Sequence, residues 1–243
     1  MPTPIQLSTL FRQHIFRGHK VLCVGPSHTL HFDPSPVMAS TLTGRKGRVT
    51  LLDFDSPTMR RKLETLRSQR ESEGRKLKPR AERLLQSLQR NEKLCKFGDL
   101  WGYARQFKEA YGDWLRQPVL KFGSAPDMPF TPGRLPWSAK TSPRDKFDAI
   151  IDAGTHAHIL EEHSTLDRLL RNYSQLSRKT IILTDHSNPL FPTAERLKQA
   201  AEAAGAKNVQ TLSVKNEYLL RTPRGVRRLR HICPYNEAVV IEW

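Results

Sequence analysis

Short, continuously apolar runs recur along the chain: Lys20-Val21-Leu22-Cys23-Val24, Arg48–Asp53, Val119-Leu120-Lys121-Phe122, Phe147–Ala153 and Thr180–Asp185. Runs of this length without alternation predict strands buried on both faces of a sheet. Elsewhere the apolar positions recur at three and four. Leu7, Leu10, Phe11 and Ile15 predict a leading helix, and Leu100, Tyr103, Ala104, Phe107, Tyr111 and Trp114 predict a second helix with an aromatic face. Such aromatics could stack on bases, but at helical spacing the core is the expected destination. Further helices are predicted around Leu166–Leu176 and over Thr193–Ala204, the latter closed by Gly205. Val209–Val214 and Glu237–Trp243 read as the last strands, with Tyr218–Leu229 between them. Strands alternating with helices, then two strands with no helix between, predict a mostly parallel α/β sheet with an antiparallel edge.

The intervening segments are polar and punctuated. Pro34-Ser35-Pro36 reads as a turn, and Ser56-Pro57 as a helix start, with a serine cap and proline at the first position. From Arg60 to Lys93 twelve Lys/Arg face five Glu, with Gly74 and Pro79 predicted to break the helix. Ser124–Pro143 is rich in Pro and Gly and reads as a loop. At 243 residues the chain fits one domain, 1–243, carrying a basic, aromatic helical insertion over 56–118.

Charge changes the picture most. Forty Lys+Arg against 24 Asp+Glu give a net charge of +16, more than solubility requires, which predicts a polyanionic partner: nucleic acid, RNA in particular, or a ribonucleoprotein assembly. Cys23, Cys95 and Cys233 are odd in number and far apart, so no disulfide framework or zinc ribbon is expected, and a reducing intracellular compartment, the cytoplasm, is. No apolar run approaches a membrane span, so no membrane partner is expected. Residues 1–32 carry Arg12, Arg17 and Lys20 without an acid, as a targeting segment does, but a packed leading helix accounts for them equally well.

Several of these segments together resemble a class I, Rossmann-like S-adenosylmethionine-dependent methyltransferase. Val21–Gly25 resembles that family's first strand and glycine loop. Leu52-Asp53-Phe54-Asp55-Ser56-Pro57-Thr58-Met59 resembles its second strand, Phe122–Phe130 its third with the loop that reaches the adenine, and Phe147 through Ile159 its fourth. The resemblance implies S-adenosylmethionine as cofactor, held by Gly25, Ser27, Asp53, Asp55 and Ser124, with Asp53 and Asp55 competing for the ribose hydroxyls. It departs from the family where Pro26, Ser27 and His28 replace further small residues, and where Ser124 stands at the usual acid. Two functions follow: methyl transfer to RNA or a ribonucleoprotein, or a catalytically inactive methyltransferase-like protein that binds RNA or serves in assembly.

Ligands of such sheets bind beyond the carboxyl ends of the strands. There the sequence gathers His28, His31 and Asp33; Asp152, His156 and His158; and Asp185 with His186. Asp152, His156 and Asp185 are the candidate bases that could take a proton from the acceptor. The same imidazoles and carboxylates could instead ligate a metal, although spacing alone does not support one. Arg60, Arg61, Lys62, Arg75, Lys76, Lys78 and Arg80 on the insertion are the expected phosphate contacts. Arg224, Arg227 and Arg228 in the C-terminal hairpin form a second basic wall.

Overall fold

A computed structural model describes residues 3–25, 33–53, 56–77, 82, 85–86, 100–122, 147–153, 163–187, 191–222, 224–230 and 235–243, with the backbone alone at 53, 56–63, 101, 121–122 and 163–165. The apolar runs are strands, as their composition predicts: β2 (Lys20–Val24), β3 (Arg48–Asp53), β4 (Val119–Phe122), β5 (Ala149–Asp152) and β6 (Lys179–Thr184). They pair in parallel in the order β4-β3-β2-β5-β6. The sheet continues through β10 (Glu237–Glu242) and β7 (Asn208–Lys215) to the two-residue β1 (Ile5–Gln6). Strand β10 runs antiparallel to both β6 and β7. The reversed C-terminal strand therefore exists but is not at the edge. It is inserted between two strands parallel to each other, and four of its six residues are buried.

Alternate residues of each central strand enter opposite cores. Val21, Cys23, Leu51, Ile151, Ile181 and Val240 pack with α1 (Leu7–His14), α2 (Ser35–Thr43) and α4 (Leu100–Tyr111). Leu22, Val24, Leu52, Ile150, Ile182 and Val239 pack with α5 (His163–Leu176) and α6 (Ala194–Ala203) on the other face. Both faces being covered explains why the strands read as unbroken apolar runs. On α4, Tyr103 and Phe107 are fully buried, so its aromatic stripe is core.

Helix α2 replaces the turn expected at Pro34–Pro36. Asp33 Oδ1 accepts the Ser35 N–H at 2.8 Å, and Pro36 lies at the start of the helix, where a missing N–H costs nothing. Helix α3 (Ser56–Ser72) starts at the predicted serine and stops two residues before Gly74. The remaining pair, β8 (Tyr218–Thr222) and β9 (Gly225–Leu229), forms a separate antiparallel hairpin.

At the amino end of β6, Lys179 Nζ lies 2.9 Å from Glu242 Oε1 and 3.2 Å from His14 Nδ1. An ammonium only donates, so Nδ1 accepts and the ring is neutral there. Burial first, and the Lys179 charge second, lower the His14 pKa below its ordinary 6.5, with Glu242 opposing. A group whose pKa is depressed on folding binds fewer protons in the native state. Its contribution is complete above about 6.5 and is lost as pH falls through the lowered native value. Urea melts at pH 7.5 and 5 should show stability falling with acidification, and His14→Gln should reduce that fall. An unchanged difference between the two pH values would exclude His14 as its source.

Candidate functional site

Strand β2 is the first of the parallel set; β3 and β4 add on one side of it, β5 and β6 on the other. The direction of winding reverses between β2 and β5, and such a reversal opens a crevice beyond the carboxyl ends of those strands. The register aligns Val24 with Leu52 on β3 and with Asp152 on β5, and Asp53 with Phe122. Gly25, Asp53 and Asp152 are thus brought to one rim by backbone pairing alone.

Gly25 leaves β2 with φ +62°, while its N–H donates to Leu52 O at 2.8 Å. A positive φ at this turn is where glycine is needed, since a Cβ would crowd the backbone, and its absence lets a ligand approach the main chain.

Asp152 is fully buried, and its Oδ2 accepts the Tyr173 hydroxyl at 2.9 Å. Burial, and then the charge of Asp152, push the Tyr173 phenol well above its usual pKa, so the hydroxyl keeps its proton and donates. One residue further, Ala153 O accepts the Tyr235 hydroxyl at 2.6 Å. Asp185, which ends the β6 run, is 5% exposed. Its Oδ1 accepts from Ser187 N at 3.0 Å, Ser187 Oγ at 2.7 Å and Asn236 Nδ2 at 2.7 Å. That carboxylate ties the turn after β6 to the entry of β10, which is a structural task. His186 is exposed and donates its backbone N–H to Asn236 Oδ1.

At Asp33, the first described residue after Gly25, the side chain is buried in a polar cluster. Tyr103 Oη donates to Asp33 O at 2.9 Å, and Ser35 Oγ lies 3.0 Å from Tyr218 Oη. Burial, followed by the Asp33 charge, raises both phenols, and the same two causes raise the Cys23 thiol, which is inert in the core. Tyr103 comes from α4 and Tyr218 from the β8–β9 hairpin. Both basic segments are thereby fastened to the start of α2. The sequence gives no sign of this role, because Tyr103, Tyr173 and Tyr218 look like any apolar core positions.

Ser27, Asp55, Ser124, His156, Lys78 and Arg80 lie outside the described residues, as do His28, His31 and His158. Arg60, Arg61 and Lys62 are on α3; Arg75 and Lys76 are exposed just after it. Arg224, Arg227 and Arg228 are exposed on the hairpin. Glu217 Oε1 sits 2.7 Å from Arg230 and 3.5 Å from Arg228, and the bond to Arg230 chiefly lowers its pKa. Among the described residues no group of three or more His, Cys, Asp or Glu is placed to hold a metal ion. No helix among them is long and apolar enough to cross a membrane.

The segments that resemble the methyltransferase family's first four strands pair as 3-2-1-4, β6 continues the parallel order beside the fourth, and the chain's last strand is reversed. This is a Rossmann-like, mostly parallel α/β fold with a reversed last strand. Solved structures similar to this chain include a TehB-like SAM-dependent methyltransferase from Corynebacterium glutamicum, at 11% identity over 97% of this chain and 85% of that one, TM-score 0.45. A SAM-dependent methyltransferase from Aquifex aeolicus matches at 14% identity, over 96% and 86% of the two chains, TM-score 0.45. A putative rRNA-methylase from Clostridium thermocellum matches at 11% identity, over 100% and 97%, TM-score 0.44. No protein-family model and no curated protein matches the sequence.

Proposed function

We propose that the protein transfers a methyl group to RNA or to a ribonucleoprotein. The observation that carries this reading is the reversal between β2 and β5, with the left-handed Gly25 turn and the buried Asp152 on its two sides and Asp53 one strand away. The left-handed Gly25 turn and the acid ending β3 suit an adenosyl group. Gly25 and Asp53 would hold it, with Ser27, Asp55 and Ser124 as the further contacts the sequence offers. S-adenosylmethionine, when bound, supplies an electrophilic methyl group. The protein's own part is alignment and proton acceptance. Asp152 takes the acceptor's proton, and Tyr173 fixes one of its oxygens so that the carboxylate does not turn away. The net charge of +16 draws the polyanionic substrate in.

A second reading, a catalytically inactive RNA-binding or assembly protein on the same fold, is favoured by the carboxylates' engagements: Asp185 is held by three protein donors and Asp152 by Tyr173. Calorimetric titration with S-adenosylmethionine and S-adenosylhomocysteine separates the two. Micromolar binding is expected, lost in Asp53→Ala and weakened at least tenfold in Gly25→Val, with melting curves confirming that both variants fold. No binding of either compound, with RNA binding intact, would sink the catalytic reading and leave the second.

A further inference from the structure

At the opposite end of the sheet, where the strands begin, the surface has a feature that methyl transfer does not use. The last turn of α2 and the segment after α4 enclose a cleft of about 240 Å³ lined by Ser40, Thr41, Gly44, Arg45, Trp114, Leu115 and Arg116. Strand β3 separates it from the crest by roughly 17 Å at the usual rise per residue. Trp114 is half-buried and contacts Tyr111 at a ring-centroid distance of 6.4 Å, which orients its indole. Arg116 Nη1 donates to Gly47 O at 3.2 Å, and this fixes the guanidinium at the mouth.

The chain before β2 adds a second ring. Gly18 N donates to Thr43 O at 2.8 Å, placing the 16–19 turn against the end of α2. Phe16 in that turn is 53% exposed, and its ring meets the edge of His19 at 5.2 Å and 87°. The exposed half of that ring is free to stack on a ligand. Arg17, Arg45, Lys46, Arg48 and Arg116 are all exposed around these rings, and among the described residues none of them is paired with a carboxylate.

We infer that this surface binds an unpaired stretch of RNA, one base entering the cleft beside Trp114, a neighbouring base stacking on Phe16, and phosphates on Arg45 and Arg116. The arrangement of π-faces within a ring of cations is what sequence-tolerant single-strand binding requires. A cleft of this size admits one base and not a duplex. The end of α2 presents backbone carbonyls, which repel phosphate, so the phosphates belong at the outer rim with the guanidiniums and the base belongs inside. The site stands whether or not the crest binds S-adenosylmethionine.

Fluorescence anisotropy with a labelled 12-nucleotide single-stranded RNA, a duplex of the same length, a mononucleotide and inorganic phosphate tests it. The single strand should bind tightest. Phe16→Ala should weaken it about fivefold or more, the usual loss for one stacked base. The double variant Arg45→Ala/Arg116→Ala should weaken it at least tenfold and reduce the slope of log affinity against log salt by about 1.4, as for two single-strand phosphate contacts. All substituted side chains are exposed, so the variants should fold, which circular dichroism checks. Equal binding by duplex, or tighter binding of mononucleotide or phosphate than of the strand, would overturn the proposal. So would a loss confined to Arg224→Ala/Arg227→Ala in the hairpin. None of these outcomes reports on cofactor binding at the crest.

Discussion

Phe11→Ala is expected to destabilise the protein by about 3–5 kcal/mol, the usual range for emptying a phenylalanine site in a packed core. For a chain of this size that lowers the melting midpoint by on the order of 10 °C. Phe11 has no exposed surface, and its ring lies 5.5 Å from that of Tyr218 at an interplanar angle of 56°. The substitution therefore leaves a cavity and also removes the support of a buried tyrosine whose hydroxyl meets Ser35. Both partners belong to one buried core cluster with Leu7, Leu10 and Val21, and in a close-packed interior little collapse can relieve the void. The contrast is Phe16→Ala five residues on, where exposure predicts a change within about 0.5 kcal/mol. Denaturant melts of the two variants measure both. A Phe11→Ala loss below about 1 kcal/mol would mean that α1 is not part of the core.

That contrast also shows what the sequence could and could not reveal. Phe11 was legible because Leu7, Leu10 and Phe11 share a helical face, and Phe16 follows Ile15, where that helix has ended. The parallel strands were legible for a related reason: Ile150-Ile151 and Ile181-Ile182 each supply one side chain to either core, so no polar alternation interrupts them. Helix α2 was hidden by the same burial. Its residues Ser35 to Ser40 are all enclosed, so no polar face marks a period of 3.6, and its two flanking prolines read as a turn. The placement of β10 was equally hidden, since Val239 and Val240 look the same at an edge or inside a sheet. Its position follows from pairing with both β6 and β7, which no local pattern encodes.

The candidate site divides along the same line. Gly25, Asp53 and Asp152 were legible because each stands at the end of an apolar run, and chain position alone brings such residues to the crest. The partners that decide what those residues can do were not legible. Asn236, which takes up Asp185, is 51 positions away in the chain, and Tyr173 on α5 is 21 from Asp152. Side-chain bonds across such separations depend on how the elements pack, and a single sequence carries no record of them.

Asp152→Asn is expected to lower methyl transfer by about 10²–10⁴-fold, if Asp152 takes the acceptor's proton. The amide oxygen still accepts the Tyr173 hydroxyl, so the buried bond survives, while the negative charge and the proton-accepting capacity do not. Tyr173→Phe should act in the opposite sense. It removes a donor from a carboxylate with no exposed surface, which costs about 1–3 kcal/mol of stability, and it spares the charge. The pair of variants separates the two roles one residue can have. Incorporation of labelled methyl from S-adenosylmethionine into RNA, measured beside denaturant melts, gives both readings. If Asp152→Asn retains full transfer, the proton goes elsewhere and Asp152 is a packing residue. Should neither variant nor the parent transfer methyl while Tyr173→Phe still destabilises, the buried pair serves the fold alone and the inactive reading is the better one.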